Sequence, residues 1–222
     1  MALPKNQKML QEWQNRFPLE NYFGFDINPY TSFVQYDSEA TILEEGESKE
    51  VLYILLEGRV KIYVSHANGK VTLVNFAEGP CFLGEMELLG TRKRCNGVAA
   101  ITSCACYAVR YSQCKEMLLN DVTFLRALCR FLGERSVANT NRYSHNQSGK
   151  LEHRLAAFIL LTAYKGVYRE RHTEAAAFLG VTYRHFLYVL AKFVKAGYLE
   201  KCPEGYRIMD IKELERLKAE GE

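Results

Sequence analysis

Residues 172–195 read HTEAAAFLGVTYRHFLYVLAKFVK, two short helical stretches broken by a single glycine. Thr173 has the side chain of an N-cap, and Glu174 stands where the positive end of a helix favours negative charge. The Ala-rich run Glu174 to Leu179 is long enough for two turns, and Gly180 supplies the permissive backbone that ends it. Thr182 is placed to cap a second helix, in which Phe186, Leu187, Val189, Leu190 and Phe193 recur at helical spacing. Tyr183, Arg184, His185, Tyr188, Lys192 and Lys195 fall outside that apolar stripe. A helix that enters the major groove of DNA needs such a face of basic and hydrogen-bonding side chains. An ordinary helical hairpin would carry the same caps, so the surrounding sequence has to decide between the two.

Charge is the first discriminator. The 222 residues carry a net charge of only +3, but residues 1–149 hold 16 Lys/Arg against 16 Asp/Glu, while residues 150–207 hold 10 against 5. A local basic surface attracts phosphates and releases counterions when it binds them. The last 15 residues are slightly acidic and are expected to lie away from nucleic acid. Directly after the helical pair comes GYLEKCPEGYRIMD, in which strand-like pieces 198–201 and 206–208 flank a Pro-Glu-Gly turn. Helix, turn, helix and hairpin together predict a winged helix-turn-helix.

Length and apolar content allow two domains with real cores. No N-terminal apolar run resembles a signal peptide, and the longest apolar stretch, Leu155 to Ala163, is too short to span a bilayer. Seven cysteines, an odd number without framework spacing, fit a reducing compartment. The expectation is a soluble cytoplasmic protein with no membrane partner. The chain contains no nucleophile elbow, zinc-protease helix, phosphate-cradling glycine loop or dinucleotide fingerprint, so an enzyme is not expected.

From Ser32 to Tyr111 the pattern changes to short apolar runs punctuated by Gly46, Gly58, Gly69, Gly79, Gly84 and Gly90. Val51 to Leu56, Val60 to Val64 and Val71 to Phe76 read as successive strands, with His66-Ala67-Asn68-Gly69 as a hairpin turn. Such a series predicts an antiparallel barrel or jelly roll. Before it, residues 4–16 can form a helix carrying Leu10 and Trp13. After it, Asp121 to about Arg142 reads as one long helix striped with Phe124, Leu125, Leu128, Phe131, Leu132 and Val137. That stripe either packs on its own barrel or forms a dimer seam near Leu128, Phe131 and Leu132. The polar run 139–149 reads as a hinge. The predicted architecture is thus α+β: residues 1–120 an N-terminal antiparallel β jelly-roll barrel with a leading helix, 121–149 a long dimerisation helix and hinge, and 150–222 a C-terminal winged helix-turn-helix.

The order of these parts resembles the CRP/FNR family of bacterial transcription regulators, from about Tyr36 to Ile208. The resemblance is carried by EEGE around Gly46, LLEGRVKIYV around Gly58, NGK at 68–70 and CFLGEMELL at 81–89. RLAAFILL at 154–161 and FLGVTYRHFLYVLAKF at 178–193 are most similar to the YeiL-like members. The resemblance implies a cyclic-nucleotide-binding-like sensor barrel, a homodimer joined through the 121–142 helices, double-stranded DNA as partner and direct contact with RNA polymerase. It also implies a small-molecule effector near Gly84, Glu85, Arg94 and Cys95, because the cyclic-nucleotide branch holds ribose with a Gly-Glu pair and phosphate with an Arg-Ser pair. Gly84-Glu85 matches the first pair. At the second, a thiol replaces the hydroxyl at Cys95, and Arg92 or Lys93 compete with Arg94 in a shortened loop. The base-binding Thr-Ser pair of the dimer helix falls at about Ala138-Asn139. Two of three recognition elements are altered, so another effector, or none, is expected in place of cyclic AMP, and the cofactor stays unknown.

Cys81, Cys95, Cys104, Cys106, Cys114 and Cys129 all lie in the sensor half, and the rival reading is a thiol switch or metal site using Cys81, Cys95 or the Cys104/Cys106 pair. Cys104 and Cys106 would share one face of a strand. Residues 1–80 contain no cysteine, so the N-terminal cluster of the family's iron–sulfur branch is missing and no metal site is assigned. For DNA, the family's Arg-Glu pair and following Arg fall at Tyr183, Arg184 and Tyr188. Arg184 is then the residue that forks onto a guanine, and Thr173, Thr182, Tyr183, His185 and Tyr188 line the same surface. Lys192 and Lys195 are expected to contact phosphates.

Overall fold

A computed structural model describes the backbone of residues 5–47, 50–91 and 94–221, and their side chains apart from 5–8, 10 and 145–148. The side chain of Leu10 and the whole of Arg92 and Lys93 thus lie outside the described residues. Helix α1 (Lys5–Arg16) leads into β1 (Thr31–Tyr36), β2 (Thr41–Leu43), β3 (Val51–Glu57), β4 (Arg59–Ser65), β5 (Val71–Glu78) and β6 (Cys81–Leu83). The short α2 (Glu85–Leu88) precedes β7 (Gly97–Ala100) and β8 (Cys104–Arg110), and α3 (Lys115–Asn120) precedes the long α4 (Val122–Ser148). The chain then forms α5 (Leu151–Thr162), β9 (Val167–Tyr168), α6 (His172–Phe178), α7 (Tyr183–Lys195), β10 (Leu199–Cys202), β11 (Gly205–Ile208) and α8 (Ile211–Ala219). The α+β class and the antiparallel barrel agree with expectation. By internal packing the chain divides into two units, Met1–Val64 with Asn75–Ser136, and Ser65–Val74 with Val137–Glu222.

The first unit is built on two antiparallel sheets, ordered β1-β8-β3-β6 and β2-β7-β4-β5. Strand β3, VLYILLE, is buried along almost its whole length because it separates two cores. Leu52, Ile54 and Leu56 face a cluster with Leu19, Phe23, Ile27, Phe124 and Leu128, whereas Tyr53 and Leu55 face the barrel interior with Ile42, Val60, Val98 and Cys106. A strand buried on both faces shows a continuous apolar run in place of alternation. Cys104 and Cys106 point into the same interior cluster, as their spacing requires.

Helix α4 decides between the two readings of its stripe. Phe124 and Leu128 are fully buried against their own sheet, with the Phe124 ring stacked 5.5 Å from Phe23. Phe131 meets Phe82 edge-on at 5.5 Å, and Leu132 packs partly against the same cluster. The expected seam at Leu128, Phe131 and Leu132 is therefore corrected: Leu128 and Phe131 face the barrel, because the outer surface of β3, β6 and β8 is apolar and has to be covered. Val137 leaves the stripe altogether and is exposed. The expected hinge 139–149 is also corrected, since α4 runs on to Ser148. Residues 134–148 contain no Gly or Pro, and Asn and Ser lower helix propensity only slightly, so the break waits for Gly149.

In the second unit Thr182 caps α7 as predicted, accepting a 3.2 Å hydrogen bond from the His185 amide. Gly180 ends α6 at φ +66, the left-handed backbone a side chain would strain. Thr173 does not cap α6: the helix begins at His172 with Arg171 before it. The reason is packing, since the His172 ring lies parallel to Tyr168 and 5.4 Å from Phe186, which draws it into the first turn. Phe186, Val189, Leu190 and Phe193 are buried, as their spacing predicts, and Leu187 is half-buried. The wing is three-stranded, β10-β11-β9, where the sequence had suggested a two-stranded hairpin. Its first strand starts one residue late because Tyr198 packs edge-on against Phe193. In the same unit Arg142 Nη2 donates to the Val74 carbonyl at 3.3 Å, and its guanidinium lies 4.9 Å over the Phe178 ring.

Truncating a buried aromatic leaves a cavity that costs about 3–5 kcal/mol. Phe124→Ala is expected to lower the stability of the barrel unit by that amount, whereas Val137→Ala stays within about 0.5 kcal/mol of the parent. Denaturant unfolding followed through the single tryptophan, Trp13, reports the first, because that ring stacks on Phe17 and Phe33 of the unit that holds Phe124, and circular dichroism of the whole chain reports the second. Equal effects at the two positions would refute the assignment of α4's faces.

Candidate nucleic-acid interface and effector site

On α7 the burial of one stripe leaves the complementary face outside. Tyr183 and Tyr188 are 48% and 61% exposed, unusual values for aromatic side chains, and Arg184, His185, Lys192 and Lys195 are exposed with them. Thr173 and Thr182 are exposed too, each at the start of its helix. Thr182's hydroxyl oxygen accepts from the His185 amide, which sets where the first turn of α7 presents Tyr183 and Arg184. Cross-strand pairs Glu200–Arg207 and Lys201–Tyr206 run along the wing, adding the exposed cations Lys201 and Arg207. These two were not among the predicted site residues, although cations on a short hairpin beside a basic helix are a legible signal. Glu152 on α5 was not among them either, and its Oε1 lies 3.3 Å from Lys192 Nζ. The same ammonium lies 4.9 Å over the ring of Tyr188. No spacing rule connects positions 152 and 192; only the packing of α5 on α7 brings them together.

In the first unit, Gly84 precedes α2 at φ +84, and a Cβ there would stand 2.8 Å from the Val51 carbonyl oxygen. Glycine is therefore required on both conformational and steric grounds. It delivers Glu85 into the interior, where the residue is only 3% exposed. A buried carboxylate needs a partner. Arg135 of α4 supplies it, with Nη1 2.5 Å from Glu85 Oε1, Nη2 3.5 Å from Met86 Sδ and the guanidinium 5.2 Å over Phe131. Arg135 was not among the predicted site residues. Its clue was position, one turn after Phe131 on the face that turns toward the barrel.

The other expected effector residues are placed differently. Cys95 is buried and its Sγ donates to the Glu44 carbonyl at 2.8 Å and the Glu47 carbonyl at 3.1 Å. The thiol thereby closes the turn around Gly46. Arg94 is exposed in the adjoining loop. Ala138 and Asn139 are exposed on α4.

The cysteines divide sharply by environment. Cys81, Cys95, Cys104, Cys106 and Cys114 are buried, Cys202 is half-buried and Cys129 is exposed. Burial pushes the Cys81 thiol up to about 12, with the Glu85 carboxylate adding to the effect. Burial likewise raises Cys95, Cys104, Cys106 and Cys114. A reactive sensor thiol needs the opposite, an accessible group with a lowered value. Among the described residues no group of three or more His, Cys, Asp or Glu side chains is arranged to hold a metal ion. No helix among them is long and apolar enough to cross a membrane.

Residues 33–121 match the cyclic nucleotide-binding domain family, and residues 153–217 match the Crp-like helix-turn-helix domain family. Regulatory protein YeiL of Escherichia coli O157:H7 is 41% identical over 198 residues, covering 89% of this chain and 90% of the relative. Among solved structures, a crp/fnr-family protein from Eubacterium rectale is similar with a TM-score of 0.71 at 17% identity, over 92% of this chain and 99% of that one. A CRP/FNR-family transcriptional regulator from Thermus thermophilus, TTHA1359, gives a TM-score of 0.65 at 21% identity, over 85% and 98% of the two chains.

The thiol environments lead to a chemical prediction. A disulfide reagent at neutral pH should modify the half-buried Cys202, and Cys129 wherever α4 is left uncovered by a second copy, leaving the five buried thiols until the chain unfolds. Rapid modification of Cys95 or Cys104 in the folded protein would contradict this. Because the Cys81 value is raised to about 12, the folded chain keeps a proton that the unfolded chain loses from about pH 8.5 upward. Stability should therefore be full below that pH and fall as pH rises through it, and Cys81→Ala should flatten the decline. Unfolding curves at several alkaline pH values supply the measurement.

Proposed function

Because the chain belongs to the CRP/FNR family of transcription regulators, we propose that α7 enters the major groove of double-stranded DNA and that two copies, joined along α4, read a two-fold operator. In this reading residues 1–120 sense, 121–149 join the protomers and 150–222 bind DNA. The observation that carries it is the exposed face of α7, where two tyrosines stand beside Arg184 while the apolar stripe behind them is buried. Arg184 forks onto the two acceptors of a guanine, and Tyr183 and Tyr188 donate to acceptors or pack on thymine methyls. The face carries no carboxylate to accept from a cytosine amine, so the operator differs from one read by an Arg-Glu pair. Thr173, Thr182 and His185 line the helix starts, while Lys195, Lys201 and Arg207 meet phosphates.

The second copy docks on the part of α4 that the barrel leaves uncovered. Val122, Cys129, Ser136 and Tyr143 are exposed and recur every seven residues, with Leu125, Leu132 and Asn139 beside them. That is heptad spacing, and the small residues Cys129, Gly133 and Ser136 let two helices approach closely. The effector is a small molecule other than cyclic AMP, bound near Gly84, Glu85 and Arg94. The thiol of Cys95 is committed to two carbonyls and the Glu85 carboxylate to Arg135, so neither stands free to meet a ribose or a cyclic phosphate. The regulator works in the cytoplasm and contacts RNA polymerase directly when bound.

Operators selected from random DNA test the groove assignment. Arg184→Ala should weaken specific binding by roughly 1–3 kcal/mol and relax preference at one base pair per half-site, with half-sites about one helical turn apart. A logo identical to that of the parent would exclude Arg184 from base readout. For the seam, copper-phenanthroline oxidation should give a disulfide-linked dimer that disappears in Cys129→Ser. A monomer in sedimentation at tens of micromolar, roughly where a micromolar-Kd pair still assembles, would contradict the dimer.

A further inference from the structure

Lys192 was expected to hold a phosphate, but its surroundings in the fold argue for a different task. A lysine that neutralises DNA has to offer an uncompensated charge, since affinity and its salt dependence come from displaced counterions. Lys192 instead stands 3.3 Å from Glu152 Oε1, with the two side chains 50% and 33% exposed. The pair is neutral as a unit. For Lys192 to reach a phosphate, it would have to leave a carboxylate facing the polyanion. The Glu152 carboxyl is held below its ordinary value by a hydrogen bond from its own backbone amide and then by Lys192, against an opposing effect of burial.

The same ammonium covers one face of Tyr188, 4.9 Å from the ring centroid. Tyr188 and Lys192 are one turn apart on α7, so the contact belongs to the ordinary geometry of a helix surface. Alone it would be weak and mobile, because a lysine stem has four rotatable bonds. The third member changes this. Glu152 sits on α5 and pairs with the ammonium from outside α7, so one face of the tyrosine ring is bounded by a cation tied to a second helix. A cation over the ring face is attracted by the π cloud and leaves the edge and the hydroxyl as the free parts of the side chain. Those are the parts that can address a base edge or a thymine methyl.

We propose that Glu152 and Lys192 are positioning residues which fix Tyr188 for base readout, so that operator preference at one base pair depends on a carboxylate carried by a neighbouring helix. This rests on the reading of α7 as the groove helix. Removal of water on docking strengthens the pair, since charges interact more strongly in a medium of lower dielectric.

The test combines operator selection from random DNA with binding titrations over a range of salt, for Tyr188→Ala, Lys192→Met, Lys192→Arg and Glu152→Gln. Tyr188→Ala should alter the logo at one base pair per half-site. Lys192→Met and Glu152→Gln should broaden preference at that same pair, by roughly fivefold, the low end of what one base-edge contact supplies. Lys192→Met should leave the slope of log affinity against log salt unchanged. Lys192→Arg, which can keep the ion pair and the ring contact, should preserve the parent logo and shows that the fold tolerates change at this site. A phosphate-binding Lys192 gives the opposite signature: Lys192→Met flattens the slope by about one, and the logo stays parental in both Lys192→Met and Glu152→Gln. That result overturns the proposal. An altered logo in Tyr188→Ala with parental logos in Lys192→Met and Glu152→Gln removes the positioning role and leaves groove reading intact. Parental logos in Tyr188→Ala and Arg184→Ala together remove the groove assignment itself.

Discussion

A helix has one circumference, and most of the apolar side of α4 is spent on its own barrel. Its Phe124, Leu128 and Phe131 cover the apolar outer face of β3, β6 and β8, and its Arg135 answers the carboxylate of Glu85. What is left is an exposed strip, Val122, Cys129, Ser136 and Tyr143, bordered by Leu125 and Leu132, which still pack partly on the barrel. The division is dictated by burial. Phe124, Leu128 and Phe131 go where a cavity would otherwise form, and Val122, Cys129 and Ser136 remain uncovered. A stripe that reads as one feature along the sequence is two features around the axis.

The Glu85–Arg135 pair joins a residue at the end of the barrel to the helix that leaves it. A carboxylate 3% exposed is tolerable only with a cation in place, so the position of α4 and the state of the sensor interior are linked by charge as well as by packing. The substitutions around it are mutually consistent. Cys95 closes a turn through two carbonyls, and Cys81, near enough to Glu85 for its carboxylate to raise the thiol's value, is held protonated by burial. The interior thiols behave as small hydrophobic groups with weak donors. Their number in this half of the chain reflects packing more than reactivity.

In the second unit the chemistry lies on the outside of a helix whose inside is conventional. Burial of Phe186, Val189, Leu190 and Phe193 forces Tyr183, Arg184, Tyr188 and Lys192 outward, because a helix with one buried stripe has no other place for them. His172 stacks among Tyr168, Tyr206 and Phe186 and so binds the wing to the helix pair. Burial, with the nearby Lys201 adding to it, lowers its value, so the ring packs as a neutral aromatic.

Local and periodic signals were sufficient for much of this. Thr182 as a cap, Gly180 as a stop, the buried stripe of α7, the strands β3, β4 and β5, and the shared face of Cys104 and Cys106 all follow from spacings of two, three or four residues, which the backbone enforces by itself. The residues for which the sequence pointed the wrong way needed information from afar. Thr173 lost the cap of α6 because a histidine was drawn into an aromatic cluster from three other elements. Leu128 and Phe131 turned to the barrel because the sheet surface formed by β3, β6 and β8, which are distant from one another in the chain, had to be covered. Arg135 beside Glu85, the thiol of Cys95 on the Glu44 and Glu47 carbonyls, and Glu152 beneath Lys192 join positions 50, 51, 48 and 40 residues apart. The sequence by itself determined which side chains could be buried, capped or exposed within each element, because those choices depend on a period. Which buried charge meets which partner was decided only by the tertiary structure, because an ion pair depends on distance in space, and no pattern along the chain encodes that distance.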